Sequence, residues 1–86
     1  MNKNPKFKVE NVANLSGRYV IFAKRLNNLD FTLESETCLG GINVLNFQIP
    51  RIIDKNGKQR FDIFAFQIES LTDLKKFSVN DILELT

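Results

Sequence analysis

Polar and apolar side chains alternate through Lys6-Phe7-Lys8-Val9-Glu10, the period of a strand with one buried face. Asn14-Leu15-Ser16-Gly17 is a turn cluster. The run from Arg18 to Leu26 then carries Tyr19, Val20, Ile21 and Phe22, residues of high β-propensity. Asn27-Asn28 breaks that run, and Asp30-Phe31-Thr32-Leu33-Glu34 alternates again. Gly40-Gly41 interrupts the next apolar stretch and predicts a bulge or corner. Residues 42–53 hold one bent strand or two short ones, with Pro50, which cannot donate to a ladder, marking an edge or break.

Asp54-Lys55-Asn56-Gly57-Lys58-Gln59 is the clearest local signal. Ile52 and Ile53 precede it, and Asn-Gly suits a hairpin turn of type I′ with positive φ at both central residues. Phe61 to Ile68 is the most hydrophobic strand, apolar on both faces, as a central or covered strand requires. Ser70-Leu71-Thr72-Asp73 has capping-box spacing, and Leu71, Leu74 and Phe77 share a helical face, so one short helical turn is expected near residues 71–77. Residues 79–85 read as a turn and a last strand. Six or seven short strands with turns about every ten residues indicate an all-β barrel or sandwich. A barrel suits this length better because closure removes exposed edges. The expected core is Phe7, Val9, Val20, Phe22, Phe31, Leu33, Ile63, Phe64, Phe66, Leu83 and Leu85.

Length adds that this is one domain: a flexible N-terminal arm over 1–5 and a single barrel over 6–86, with eight Phe among its 86 residues to fill a core without staples. Cys38 is the single cysteine, so no internal disulfide is available and a reducing cytoplasm is the expected compartment. The polar, basic start lacks an apolar signal segment, and no apolar run is long enough to span a bilayer. Abundant Asn, Lys and Ile suggest a bacterial source. The net charge is +2, but residues 1–25 balance at +5, 26–50 at −3, 51–60 at +3 and 61–86 at −3. If the first and third blocks meet in space they form a basic patch; otherwise they average into a mixed solvated surface.

Two segments carry a resemblance. Phe7-Lys8-Val9-Glu10-Asn11-Val12 followed by Ser16-Gly17-Arg18-Tyr19-Val20-Ile21 resembles the start of the second domain of translational GTPases of the elongation factor Tu type. Phe77-Ser78-Val79-Asn80-Asp81-Ile82-Leu83-Glu84-Leu85 resembles the turn and closing strand of those barrels. The resemblance covers both ends and not the middle, and it implies a six-stranded antiparallel Greek-key β-barrel that binds RNA, ribosome or neighbouring domains. Tyr19 stands where that family has its second glycine, and Asn80 stands where it has Gly. No phosphate loop is present, so no GTPase function is implied, and the matched positions are turn and core positions that transfer no functional residues.

The candidate chemistry is sparse. The chain has no His, so Cys38 lacks the usual base of a thiol nucleophile and is expected to be a packed thiol. One Cys without His leaves only carboxylates for a metal, and no EF-hand loop is present. Asp30, Glu34 and Glu36 share a face if their strand runs on; a solvated strand face is the expected reading. Gly40-Gly41 has neither a following helix nor a Lys-Ser pair to make it a phosphate cradle. Aromatics beside cations are the pattern of single-strand nucleic-acid binders. The candidate ligand or RNA surface is therefore Arg18, Tyr19, Lys24, Arg25, Lys55, Lys58 and Arg60. Tyr19 is the ring expected to be half-exposed, while the Phe residues mostly build the core. The expectation is a small non-enzymatic β-barrel with no cofactor and no metal, acting as a protein-interaction or regulatory module, self-association included; the alternative is an RNA- or ribosome-binding module.

Overall fold

The computed structural model describes residues 4–27, 29, 31–34 and 36–86. Strands β1 (Lys6–Leu15) and β2 (Arg18–Arg25) form a long antiparallel hairpin. Ser16 and Gly17 both have positive φ at its tip, and Asn14 Oδ1 accepts the Gly17 N–H at 3.2 Å. The two-residue primed turn is therefore here, where it matches the right-handed twist of the flanking strands. Next come β3 (Cys38–Leu39), β4 (Ile42–Asn43), β5 (Asn46–Gln48), β6 (Ile52–Ile53), β7 (Gln59–Arg60) and β8 (Ile63–Ile68). The helical turn α1 (Leu71–Leu74) and β9 (Ile82–Glu84) complete the chain.

Five strands make one antiparallel sheet in the order β5-β8-β2-β1-β9, curled into a half-barrel. The all-β expectation holds; the closed six-stranded Greek-key barrel does not. The edges β5 and β9 do not pair with each other. The β3–β4 hairpin lies between them: Gly40 N–H donates to Glu84 O at 3.0 Å on the β9 side, and just after the hairpin Leu45 N–H donates to Gln67 O at 2.8 Å on β8, the strand that β5 pairs with. The physical cause lies in residues 31–50. Phe31–Glu34, expected as a strand, is not one; Gly40-Gly41 forces a tight turn; and Pro50 donates nothing. The strands there are two or three residues long, too short to close a barrel.

The concave side holds the core. Phe7, Val9, Ile21, Ala23 and Phe66 are fully buried, with Phe64, Ile68 and Leu85 nearly so. Phe7 lies edge-on to Phe31, Phe64 and Phe66 with ring centroids 5.0–5.6 Å apart, the arrangement that aromatic quadrupoles favour. Phe31, Leu33, Phe47 and Leu83 cover the open side, half-buried against this cluster, while Leu74 and Phe77 plug it from α1 and the turn after it. Ser70 caps α1, its hydroxyl accepting the Thr72 N–H. Asn80, with φ +77°, makes the turn into β9.

Two expected core positions, Val20 and Phe22, lie off the concave cluster, and Val20 is buried all the same. In β2 the concave residues are Tyr19, Ile21 and Ala23, which face Ile68, Phe66 and Phe64; Val20 and Phe22 lie on the convex face opposite Gln67 and Ala65. Phe22 is only half-buried. At the chain start, Asn4 and Pro5 are tied in, Pro5 O accepting the Leu85 N–H at 2.9 Å; residues 1–3 of the expected arm lie outside the described residues. No helix among the described residues is long and apolar enough to cross a membrane.

Candidate functional site

The β6–β7 hairpin leaves the main sheet as a separate two-stranded arm. Its tip is built by Asp54, whose Oδ1 accepts the N–H of Asn56 at 2.8 Å and of Lys58 at 3.0 Å. The Gly57 N–H donates to Asp54 O at 3.1 Å, and the Asp54 N–H to Lys58 O at 2.8 Å. Only Gly57 has positive φ. This is a three-residue loop with glycine in the left-handed position, not the expected two-residue type I′ turn. The Asp54 side chain, by mimicking a backbone turn, selects the wider loop.

The arm folds over the convex face, and an ion-pair cluster pins it. Arg60 donates to Asp62 through Nε at 3.1 Å and Nη2 at 2.9 Å, and its Nη2 lies 3.6 Å from Glu10. Glu10 reaches this point because it is the extra residue of a bulge: Val9 pairs with Ala23 and Asn11 with Phe22, leaving Glu10 between them. The hydrogen bonds from Arg60 hold the Asp62 carboxyl below its ordinary range against an opposing effect of burial; the charges of Arg60 and Lys24 add to the lowering.

Three hollows adjoin here. The largest, an open depression of about 870 Å³, is lined by both hairpin strands, the Lys55–Lys58 tip, Arg25, Phe61 and Asp62. It meets a second of about 340 Å³ at Ile52 and Arg60, floored by Phe22 and Ile63. That one meets a third, about 220 Å³, at Phe22. The third runs between Leu15 and Arg18 on one side and Asn46, Gln48 and Pro50 on the other, over Val20 and Ala65. Ile53 and Phe61 stand out of the arm, 63% and 68% exposed.

The structure thus brings Arg25, Lys55, Lys58 and Arg60 to one depression, with Lys24 close enough to act on Asp62. Arg18 lies at the far end of the convex face. Tyr19 does not join them: it is half-buried against the concave core. Arg25 is also partly committed, its Nη2 donating to Leu29 O at 3.1 Å and its guanidinium lying over the Phe64 ring at 5.4 Å. Ile52, Ile53, Phe61 and Phe22 were not expected in the site. For Phe61 the signal was present: Asp62 breaks the apolar run just after it, and β8 begins only at Ile63.

The remaining candidates are chemically quiet. Cys38 is half-buried, with its thiol near Glu36 O at 3.5 Å. Glu34 and Glu36 are exposed, and Asp30 lies outside the described residues. Among the described residues no group of three or more His, Cys, Asp or Glu is placed to hold a metal. Comparison with protein-family models, curated proteins and solved structures finds no match.

Proposed function

We propose that the protein is a non-catalytic protein-interaction module whose contact surface is the β6–β7 arm and the convex face beside it. One observation carries this reading. Ile53 and Phe61 are exposed on an arm that also borders a wide depression, whereas the other aromatic rings pack into or against the body of the domain. Clustered apolar exposure of this kind, ringed by charge, is what partner-binding surfaces present. The reading is tested by cross-linking in the source cell with the wild type and with an Ile53→Asp, Phe61→Ser double variant. Both changes are on exposed side chains, so the fold is kept, and loss of the cross-linked partner is the expected result. A partner retained by the double variant overturns it.

RNA binding is the second reading, favoured by Phe61 beside Lys55, Lys58 and Arg25, since a free ring next to cations can stack on a base. Nuclease treatment before capture separates the two: a protein partner survives it, and an RNA-mediated one does not.

A further inference from the structure

We infer that the occupant of this surface is an extended protein segment with an apolar centre and acidic flanks, its centre over Phe22 and Ile52 and its ends at Arg18 and at the Lys55–Lys58 tip. The inference rests on the interaction-module reading and names the partner's chemistry. Its ground is the order of groups along the three adjoining hollows. The hollows meet at Ile52 and Arg60 and again at Phe22; Arg60 is already paired with Asp62 and Glu10, so the unpaired surface at the middle of the path is apolar. Cations stand at both ends.

Those terminal cations are uncommitted, while the carboxylates along the path are engaged. Asp54 is occupied by two backbone N–H groups of its own turn. Asp62 and Glu10 both face Arg60. Arg18, Lys55 and Lys58 pair with no carboxylate among the described residues. The surface therefore presents positive charge at its two ends and, between them, Arg60 held by two carboxylates. A nucleic-acid strand carries charge at every residue, and its middle phosphates would sit against Glu10 and Asp62. A segment charged only at its flanks matches the pattern, since complementary charge at the rim steers the encounter and fixes register while apolar burial supplies affinity.

The test uses fluorescence anisotropy with a labelled peptide that has Leu-Phe-Leu at its centre and a run of Glu on each side. Comparators carry Gln for Glu, or Ser for the central residues, and an oligouridine of similar length serves as a nucleic-acid probe. The Glu-flanked peptide is expected to bind best and to weaken as salt rises. Arg18→Glu alone, and Lys55→Glu with Lys58→Glu, are each expected to weaken it about tenfold or more, through lost attraction and new like-charge repulsion at that end. All of these are exposed positions, and an unchanged circular-dichroism spectrum verifies folding. Equal binding of the Glu and Gln peptides, no binding of any peptide, insensitivity to Arg18→Glu, tighter binding of the oligouridine, or self-association that Arg18→Glu abolishes each overturns the inference. The two readings fail separately. If no peptide binds while cross-linking still depends on Ile53 and Phe61, the partner's chemistry is wrong and the module reading stands. If the Glu-flanked peptide binds the double variant undiminished while cross-linking is also unaffected, the arm's exposed apolar residues are not the contact surface.

Discussion

At Gly57 a single backbone angle sets the tip of the arm. Its φ of +78° lies in the region that β-branched residues resist, although the space around a Cβ there is open. Gly57→Val is therefore expected to destabilise the hairpin by about 1–2 kcal/mol through conformation alone. Asn56→Ala should fall within about 0.5 kcal/mol, because Asn56 does not have positive φ and its N–H still reaches Asp54. Hydrogen exchange at the Asp54 N–H in both variants checks this, since the arm opens apart from the sheet; equal losses would indicate a two-residue type I′ turn instead. The Asn-Gly pair made a hairpin legible in the sequence, but the loop length depends on Asp54 accepting two N–H groups, which the dipeptide does not reveal. Asp62 carries a second prediction. Its folded-state pKa is depressed below the ordinary 3.8, chiefly by hydrogen bonds from Arg60. The stability it contributes is thus fully present above about pH 4 and is lost as pH falls through the lower folded-state value. Melting curves of the wild type and Asp62→Asn should differ at neutral pH and converge in acid. A gap that widens in acid would refute the pairing.

At the scale of elements, β8 is the member on which the rest is stacked. It pairs with β2 on one side and β5 on the other, and Ile63, Phe64, Phe66 and Ile68 are all buried. Apolar residues on both of its faces made a central or covered strand readable from the pattern. Structure supplies the reason: Phe64 and Phe66 enter the concave core, while Ile63 lies under the arm. Phe66→Ala should cost about 3–5 kcal/mol, since the ring is fully buried and its neighbours cannot collapse into the space. Chemical denaturation measures this, and a loss below about 1 kcal/mol would contradict the packing. The phase of β2 was not legible. Tyr19 to Ala23 is apolar at every position, so alternation offers no choice between Val20 with Phe22 and Ile21 with Ala23. The bulge at Glu10 was equally hidden. Nothing in Val9-Glu10-Asn11 marks it, because it depends on pairing with β2 and on Asn80 donating to Val9 O at 2.8 Å.

For the molecule as a whole, the difference between a closed barrel and this half-barrel divides the chain into parts of unequal stability. The β1–β2–β8 sheet shares one aromatic core, and its ladders run for six or more residue pairs. The arm has a ladder of two residue pairs, rests on Ile52 and the Arg60 cluster, and contributes nothing to the concave core. Sequence pattern gives these segments the same weight, since Ile52-Ile53 is as strand-like as Val20-Ile21; only packing separates them. Opening the arm exposes little apolar surface, so it should open without disturbing the sheet. Native-state hydrogen exchange is expected to show the Asp54 N–H exchanging far faster than amides of Ile21, Ala23 and Phe66, whose exchange should approach the global unfolding limit. An arm of this kind suits a contact surface, because an occupant spanning Arg18 and the Lys55–Lys58 tip would hold it against the convex face. Binding of the Glu-flanked peptide should then slow exchange at Asp54 and leave Ile21 and Phe66 at their original rates. Uniform slowing across the sheet would mean that the peptide stabilises the whole fold and not the arm.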